Sequence, residues 1–585
     1  MKRSWLLAGV LTLGAFLLWV ILGRRDRHPD TSSVASYAPY MEFRGDIAPS
    51  WAPDDKQIIY SRGGPEGQDL YVVPANGGTA RLFLNGDAGL PVWSPDGMRV
   101  AFSSSRSGKF KLMRALGFMR PVNLWTASAS GSDLRQLTDS SASFLDASWS
   151  PDGTLIAFTA YPGPRVMTVS ASGSEAKFFA DGFSPTWSPD GKRMAYFSGD
   201  PAQPGSGVSI YVQPAAGGAA RHLNCFMIKP DYFFRPTLDW SPDGKRLLTT
   251  QLTDGQWQPV VIDENEDRIA STLPITGSAI SPRWSHDGQR IAYGLTDTGH
   301  PPSIEVFALR SRQSTKLTGG SGGTIAQLVR YPGGGGLVIP GWLYLPHDSE
   351  LAKHPALIWL HGGAPGLGSM RNEFEPKIQY FVDQGFVVLA PDYRGSAGFG
   401  DKLATVHQGD EIVPDIAASV AYLKELKLVD ASQIGVIGFS FGGYLTLQSI
   451  TQQPELFTAA VDFSGLSDLA RMYKDTPPMR PLLIQLLGGT PDEKPEVYRA
   501  FSPLNFVDRI KIPLLILHGT SDESASYSHA VELAKALQQA HKSYEFISYR
   551  SAGHRFFGKD EIDANQQVLR FLKSHLKASR IPGES

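Results

Sequence analysis

Apolar residues follow two different patterns along the chain, and the change from one to the other divides it. Before residue 319, short segments such as 99–103 and 155–159 alternate apolar and polar residues between turns rich in glycine and proline. This alternation predicts half-buried antiparallel strands. After the Gly/Ser-rich residues 319–323, continuous apolar runs such as 356–360 and 433–437 alternate with helical stretches. The second pattern predicts a mostly parallel, doubly wound sheet with helices on both faces.

The first part of the chain also repeats itself. The motif Trp-Ser-Pro-Asp-Gly occurs four times, preceded by a degenerate copy (Trp-Ala-Pro-Asp-Asp) and followed by a variant (Trp-Ser-His-Asp-Gly), and the intervals between the six tryptophans are 42, 56, 38, 53 and 44 residues. Repeats of this length are typical of β-propeller blades. Six copies predict six blades, and the longer intervals leave a seventh, degenerate blade open. We expect the tryptophans to pack blade on blade and the aspartates to cap turns. The copies begin at Trp51, Trp93, Trp149, Trp187, Trp240 and Trp284.

A long apolar run occupies residues 5–22 near the N-terminus, with Lys2 and Arg3 before it and three arginines after it. As a helix its 18 residues would extend about 27 Å, at roughly 1.5 Å per residue, which is enough to span a bilayer core. We predict an uncleaved single-pass anchor and a membrane location. A cleaved signal peptide followed by export is the alternative. Basic residues nearly balance across the run, so the orientation stays open.

These patterns predict three parts: an N-terminal membrane anchor and linker at 1–42, a β-propeller at 43–322, and an α/β domain at 323–585. The formal net charge of −2 gives no electrostatic reason to expect nucleic acid as a partner. Cys225 is the only cysteine, which rules out an intramolecular disulfide and a thiolate metal cluster. We expect no cofactor and no metal. The sequence leaves homo-oligomerisation open.

The chemistry centres on residues 434–444, where an apolar strand runs into Gly-Phe-Ser-Phe-Gly-Gly and then into a helix. This is the context of a nucleophile elbow, with Ser440 as the nucleophile. Gly438 and Gly442 leave room for the sharp turn. The N–H of Phe441, at the helix start, would face a developing oxyanion. A glycine-rich turn with an incidental serine is the alternative interpretation.

A serine nucleophile needs a base and an acid, which α/β-hydrolases supply in the order serine, acid, histidine. Asp522 follows a buried strand, and His554 follows the last strand, so we predict Ser440, Asp522 and His554 as the triad. Residues 323–585 are therefore predicted to be an α/β-hydrolase catalytic domain. Glu523 is the alternative acid. His361 and His518 are rival bases, for which a structural role fits better. We expect two further carboxylates at strand ends, Asp392 and Asp462, to order loops.

A second oxyanion donor should come from an earlier loop at the same sheet edge. His361-Gly362-Gly363 follows the strand at 356–360, and its glycines let the backbone approach a substrate oxygen. We predict the Gly363 N–H as this donor.

Together these motifs resemble the prolyl oligopeptidase family of serine peptidases, over residues 43–578. Within that family, His361-Gly362-Gly363 and the segment 393–400 are most similar to the acylaminoacyl-peptidase branch. Prolyl oligopeptidases and dipeptidyl peptidases carry a tyrosine where His361 stands, so the resemblance implies an oxyanion hole of two backbone amides. The chain departs from the family's usual Val-Pro-like segment at 523–526, and it has Arg555 where Gly-His-Gly-Phe has its second glycine.

The resemblance implies a serine-type peptidase of short peptides, with the propeller restricting substrate size. Oligopeptidase, acylaminoacyl-peptidase and aminopeptidase-like activities all fit. A paired-glutamate helix that would grip a free N-terminus is not evident in the sequence, which disfavours dipeptidyl-peptidase activity. An esterase on the same triad is one alternative. A propeller binding module with a relic hydrolase domain is the other, and the filled triad positions disfavour it.

Overall fold

The computed structural model describes residues 45–64, 67–106, 122–139, 143–161, 163–199, 207–228, 236–320, 322–347, 353–363, 365, 368–406 and 412–576. Within these residues, no helix combines the length and apolar character needed to cross a membrane. The predicted anchor at 5–22 lies outside the described residues and stays a prediction.

The first 24 strands form six antiparallel sheets, each built from four consecutive strands. The prediction of six blades is confirmed, and the described residues contain no seventh. The blades comprise β1–β4 (Gly45–Trp51, Gln57–Gly64, Gly67–Pro74, Arg81–Leu84), β5–β8 (Gly89–Trp93, Arg99–Ser104, Asn123–Ser128, Arg135–Gln136), β9–β12 (Ser143–Trp149, Leu155–Tyr161, Arg165–Ser170, Lys177–Asp181), β13–β16 (Phe183–Trp187, Arg193–Gly199, Val208–Pro214, Arg221–Ile228), β17–β20 (Asp239–Trp240, Arg246–Thr253, Gln256–Asp263, Arg268–Thr272) and β21–β24 (Ser278–Trp284, Arg290–Asp297, His300–Ala308, Gln313–Lys316).

The repeated motif closes the turn between the first two strands of each blade. In the second blade, the Ser94 hydroxyl donates to Asp96 Oδ1 at 2.6 Å, and that oxygen also accepts from the N–H of Met98 at 3.0 Å. The same serine–aspartate bond recurs at 2.5–2.6 Å in the four blades that follow. The aspartates therefore cap tight turns by hydrogen-bonding the local backbone.

The motif tryptophans link neighbouring blades. Trp149 Nε1 donates to the carbonyl of Val92 at 3.2 Å, in the preceding blade. Trp51, in the first blade, donates in the same way to Arg283 O of the last blade at 3.2 Å. Asp55 reinforces this junction by accepting from the N–H of Asp287 at 2.8 Å. Side chains and turns thus close the ring, while each blade keeps its own four strands.

The catalytic domain is built on one eight-stranded sheet in the order β25-β26-β28-β27-β29-β30-β31-β32. The pairs β25–β26 and β26–β28 are antiparallel, and the remaining pairs are parallel. The predicted mostly parallel sheet is therefore confirmed. The strands are β25 Gln327–Pro332, β26 Val338–Tyr344, β27 His354–Leu360, β28 Val387–Pro391, β29 Val429–Phe439, β30 Ala459–Phe463, β31 Leu514–Gly519 and β32 Tyr544–Tyr549.

Nine α-helices and three 3₁₀ segments lie among the described residues of this domain. The α-helices are α1 Pro376–Asp383, α2 Asp401–Ala404, α3 Ile412–Glu425, α4 Phe441–Gln452, α5 Leu469–Asp475, α6 Arg480–Leu487, α7 Pro495–Ala500, α8 Ser528–Gln539 and α9 Lys559–His575. The 3₁₀ segments are Gly334–Gly336, Pro477–Met479 and Pro503–Arg509.

Both faces of the sheet are buried, as its continuous apolar strands require. Side chains alternate, so that Val436 and Ile516 enter one core with residues of α3, α4 and α8. Ile437 and Leu515, their neighbours in sequence, enter the other core with residues of α1 and α9. This sandwich leaves only the strand ends open, and the carboxyl edge carries the site.

The propeller docks on the catalytic domain through its last two blades. Asn372 donates its N–H to Gly255 O, in the β18–β19 hairpin, at 2.8 Å. Its side-chain Oδ1 accepts from the N–H of Thr298, in the β22–β23 hairpin, at 3.1 Å. Gln379 of α1 donates to the carbonyls of Thr298 and Thr324 at 2.7 and 2.8 Å. These bonds tie blade hairpins to the catalytic domain beside the polypeptide link between them.

Candidate active site

Ser440 lies in a strained turn between β29 and α4. Its φ is 59° and its ψ −118°, a conformation that residues other than glycine rarely adopt. Its N–H donates to Phe463 O at 2.9 Å. The turn demands glycines around it: a Cβ on Gly442 would lie 2.1 Å from Leu360 O, and one on Gly438 would lie 2.0 Å from Gly442 O. The hydroxyl is partly exposed at the end of a buried strand.

The structure brings the three predicted triad side chains together. His554 Nε2 lies 2.8 Å from Ser440 Oγ, and His554 Nδ1 lies 2.8 Å from Asp522 Oδ2. Asp522 follows β31 and His554 follows β32, so both come from loops at the same edge as Ser440. A carboxylate accepts a hydrogen bond, which assigns the proton to Nδ1 and leaves the Nε2 lone pair for the serine hydroxyl.

Burial and hydrogen bonding act in opposite directions on Asp522. Burial raises the pKa of its carboxyl, but the bonds from His518 and His554 outweigh burial and hold the pKa well below its usual range. Its Oδ1 accepts from the N–H groups of Ser524 and Ala525 at 2.9 and 2.8 Å. Asp522 is therefore an anion at neutral pH. Glu523, the alternative acid, is exposed, and it is Asp522 that contacts His554.

The two rival bases are buried away from the Ser440 hydroxyl. His361 donates through Nδ1 to Gly362 O at 2.9 Å, and its Nε2 accepts from Ser396 Oγ at 2.9 Å. Burial lowers the pKa of His361 to about 4, so its ring is neutral. His518 is fully buried and hydrogen-bonds Ala525 O at 2.8 Å through Nε2. Both histidines thus have the structural contacts that their positions beside glycine led us to expect.

One predicted oxyanion donor directly follows Ser440, and the loop that contains the other passes beside it. Phe441 is the first residue of α4, directly after the serine. The loop 361–363 passes alongside, since a Cβ on Gly362 would lie 3.2 Å from Ser440 Cβ. Gly363 continues this loop with a φ of 96°. Tyr393 supports the loop: its ring stacks on His361 at 4.3 Å, and its hydroxyl donates to His361 O at 2.7 Å.

Both strand-end carboxylates are buried, as loop-ordering groups should be. Asp392 Oδ1 accepts from the N–H of Met370 at 2.6 Å, and burial raises the pKa of Asp392 well above its usual range. Asp462 lies against two glycines, because a Cβ on Gly465 would come 2.0 Å from its Oδ1 and one on Gly443 would come 2.4 Å from it. Burial raises the pKa of Asp462 to about 7, although nearby His518 lowers it.

An aromatic wall beside the triad is a feature that sequence analysis did not single out. The Phe439 ring centroid lies 5.0 Å from that of His554, and Phe463 contacts Phe556 at 4.7 Å. Arg555 lies over Phe439, with 5.8 Å between its guanidinium carbon and the ring centroid. The one available signal was position, since Phe439 precedes the nucleophile and Phe556 follows the base by two residues.

Across the described residues, no group of three or more His, Cys, Asp or Glu side chains could hold a metal ion.

Comparison with known proteins relates the C-terminal part of the chain to a family of peptidases. Residues 372–579 match the sequence profile of the prolyl oligopeptidase family. The chain is 29% identical over 242 residues to the uncharacterized peptidase YtmA of Bacillus subtilis, covering 41% of this chain and 90% of that protein. It is 24% identical over 459 residues to dipeptidyl-peptidase 5 of Porphyromonas gingivalis, covering 70% of this chain and 63% of that one. The crystal structure of the Pyrococcus horikoshii acylaminoacyl peptidase superposes with a TM-score of 0.72 at 15% identity, covering 94% of this chain and 98% of the other.

A propeller followed by an α/β sheet that carries a strained serine at its carboxyl edge defines a hydrolase of the α/β class. Residues 372–579 of the chain form a prolyl oligopeptidase family domain. The chain is accordingly a serine-type peptidase or hydrolase, as the resemblance of its motifs predicted.

Proposed function

We propose that this protein hydrolyses short peptides through an acyl-enzyme intermediate formed on Ser440. The observation that carries the proposal is the hydrogen-bonded chain from Ser440 Oγ through both nitrogens of His554 to Asp522 Oδ2. A base already in contact with the hydroxyl can take its proton as the nucleophile attacks. The buried, ionised Asp522 keeps His554 in the required tautomer and stabilises the imidazolium that forms.

In the first half of the reaction, Ser440 Oγ attacks the carbonyl carbon of the scissile bond while its proton passes to His554 Nε2. The N–H groups of Phe441 and Gly363 receive the resulting oxyanion in this proposal. The tetrahedral intermediate collapses, and His554 gives the proton to the leaving amine. Water then attacks the acyl group with His554 as base, which releases the acid and restores Ser440.

Two kinds of support favour peptides over other acyl compounds. The family is one of peptidases, and the curated relatives named above are peptidases. The propeller precedes the catalytic domain and docks on it, which suits a barrier to large substrates.

His361 stands at the position where prolyl oligopeptidases and dipeptidyl peptidases carry a tyrosine, which favours the acylaminoacyl-peptidase-like branch. Dipeptidyl-peptidase 5 as a relative supports the second candidate, removal of dipeptides from a free N-terminus.

Replacing the nucleophile tests the proposal. Ser440→Ala should abolish labelling by a fluorophosphonate probe and hydrolysis of peptide substrates, while the melting temperature stays close to that of the wild type. Ser464→Ala is a matched control, because Ser464 also has a positive φ (51°) and follows the neighbouring strand β30. Labelling that survives in Ser440→Ala would identify another nucleophile.

The substrate profile separates the remaining alternatives. N-acylated peptides, peptides with a free N-terminus and simple esters should be compared at matched leaving groups. Cleavage of acylated peptides alone favours the acylaminoacyl-peptidase-like activity, and stepwise release of dipeptides favours the second candidate. An enzyme that hydrolyses only esters is an esterase, contrary to the proposal.

We further propose that residues 5–22 anchor the protein in a membrane. The support is the length and apolar character of this run and the basic residues on both flanks. The full chain should sediment with membranes and resist alkaline carbonate extraction, whereas a chain beginning at Ser36 should remain in the supernatant with its peptidase activity intact. A native N-terminus mapped downstream of residue 22 would favour the signal-peptide alternative.

A further inference from the structure

Asp522 contacts a second histidine besides His554. His518 Nε2 lies 3.2 Å from Asp522 Oδ2, the same oxygen that accepts from His554 Nδ1. The side chains of His518 and Asp522 are both fully buried. Because His518 is the fifth residue of β31 and Asp522 follows that strand, the rigid sheet fixes one side of the contact. The triad carboxylate is therefore held between two imidazoles.

We propose that His518 is a positioning residue for catalysis: its Nε2–H, shared between Ala525 O and Asp522 Oδ2, fixes the carboxylate oxygen to which His554 must bind. The inference rests on the proposed function of Ser440, Asp522 and His554. It adds to that function a residue that touches neither substrate nor nucleophile and acts through Asp522.

The two neighbours of His518 Nε2 determine which nitrogen carries the proton. Ala525 O, at 2.8 Å, and Asp522 Oδ2 are both acceptors, so Nε2 must be the protonated nitrogen. The other nitrogen, Nδ1, is buried and has no hydrogen-bond partner within the described residues. Leaving a buried nitrogen unsatisfied costs free energy. The Nε2–H that bonds Ala525 O also lies against the triad carboxylate, with 3.2 Å between Nε2 and Asp522 Oδ2.

Other ionisable groups surround His518. Asp462, at the end of the adjacent strand β30, interacts with it electrostatically. His529 of α8 does so as well. The Tyr527 ring centroid lies 6.0 Å from that of His518. His529 in turn interacts with Asp468, Arg471 and Asp475.

The consequence for catalysis concerns the negative charge on Asp522 Oδ2. Because two N–H groups contact this oxygen, His518 stabilises part of the negative charge that His554 would otherwise stabilise alone. Without His518, the less compensated carboxylate favours the protonated form of His554 more strongly. The base then keeps its proton to a higher pH, so the acid side of the activity profile should move to higher pH. Greater freedom of Asp522 should also lower the rate at the optimum.

The test replaces His518 and follows activity against pH. In His518→Phe, which keeps ring volume but has no N–H, kcat/KM for a short peptide should fall by about 10- to 100-fold, the worth of a hydrogen bond to a charged group. The acid limb of the pH–activity profile should shift to higher pH by at least about half a unit. His518→Gln, whose Nε2 can reach the same acceptors, should restore most of the rate and return the limb towards its wild-type position.

A matched control separates positioning from packing. His354→Phe removes another buried histidine of the same sheet, whose Nδ1 bonds Gly385 O at 3.0 Å, and should leave the pH profile unchanged. A folded His518→Phe with unchanged activity, or with lower activity and an unmoved acid limb, would overturn the proposal. If His518→Phe does not fold, His518→Met offers a flexible side chain without an N–H for the same comparison.

A measurement on the wild-type protein needs no variant to fold. In ¹⁵N-histidine spectra, His518 should carry its proton on Nε2 across the active pH range, and a ring protonated only on Nδ1 would refute the proposal. Fluorophosphonate labelling of wild type but not of Ser440→Ala tests the proposed function separately. Failure of labelling would therefore point to the nucleophile, whereas failure of the ¹⁵N result would point to His518.

Discussion

The pKa values of two buried aspartates at the ends of neighbouring strands shift in opposite directions, because their partners differ. Asp522 accepts from two backbone N–H groups and faces two histidines; burial raises the pKa of its carboxyl, but the bonds from His518 and His554 hold it well below the usual range. Asp462 has Gly465 as its backbone donor and interacts with His518 only at longer range, so burial dominates and raises its pKa to about 7. Burial alone therefore does not decide the charge of a carboxyl here; the number of donors does.

The protonation of Asp462 should appear in the stability of the protein. Its pKa rises from 3.8 in the unfolded chain to about 7 in the fold, so the folded state binds this proton more tightly between those values. Its contribution to the free energy of unfolding is full below pH 3.8 and is lost as pH rises through 7, by on the order of 4 kcal/mol at 1.36 kcal/mol per pKa unit. Asp462→Asn should remove this loss, so that the stability of the variant relative to the wild type increases as pH rises from 3.8 to about 7 and stays constant above that.

Chemical denaturation of both proteins at several pH values measures the difference. Comparing the two cancels the opposing contribution of His361 and His529, whose lowered pKa values make the fold less stable as pH falls below 6.5. Asp492→Asn, at an exposed position, is the control. Parallel pH curves for wild type and Asp462→Asn would show that folding does not raise the pKa of Asp462.

Residues with a motif were predictable, and residues defined by burial were not. Ser440, Asp522 and His554 each occupy a characteristic place after an apolar strand, so the sequence alone located the three side chains that the fold brings within hydrogen-bonding distance. His518 also stood out, but only as a rival base. Its contact with Asp522 depends on the path of the chain after β31, which no local pattern encodes.

At the scale of single elements, the elbow between β29 and α4 depends on how closely it packs against β27. A Cβ at position 442 would lie 2.1 Å from Leu360 O, well inside contact distance with backbone that cannot move easily. Gly442→Ala should therefore push α4 away from β27, at a cost in stability of about 1–3 kcal/mol. Because Ser440 is held by the same turn, peptidase activity should fall by about 100-fold or more.

Thermal melting and kcat/KM for a short peptide measure the two effects of Gly442→Ala. Gln452→Ala changes an exposed residue at the far end of the same helix and should alter neither quantity. Full activity in Gly442→Ala would mean that the elbow tolerates a shift of the helix.

The blades show why some element details escaped prediction. The innermost strands of the first four blades and of the last share a bulge three residues before the tryptophan, where the chain has a positive φ. Glycine is the usual signal for such a backbone. Here the positions hold unrelated residues, so the repeat was visible in the tryptophans and turns but the bulge was not. The residues are Ala48, Leu90, Asp146, Ser184 and Ser281.

At the scale of the whole molecule, the proposal that the propeller limits access to Ser440 depends on how the propeller docks on the catalytic domain. The sequence predicted two domains and a glycine-rich link, and the family resemblance implied that the propeller restricts access. The sequence did not indicate which blades touch the catalytic domain, because those contacts join residues such as Gly255 and Asn372 that are far apart in the chain. In the structure, the docking bonds involve hairpins of the last two blades, close to the link.

We expect the propeller to select substrates by size, so that peptides of up to a few tens of residues, an estimate of about that order from propeller dimensions, are cleaved and folded proteins are spared. A long chain would need the domains to separate. Gln379 resists this movement, since it is fully buried and bonds Thr298 O, Thr324 O and the N–H of Thr324. Gln379→Leu should break these bonds, loosen the docking and raise the cleavage rate of a long unfolded protein relative to that of a short peptide.

Gln384→Leu, beside the same helix but bonded to Lys573, is the matched control. The measurement is the ratio of the two rates for labelled substrates, with melting curves to verify the fold. Equal turnover of short peptide and folded protein by the wild type would show that the propeller does not control access, and an unchanged ratio in Gln379→Leu would place the opening elsewhere in the ring.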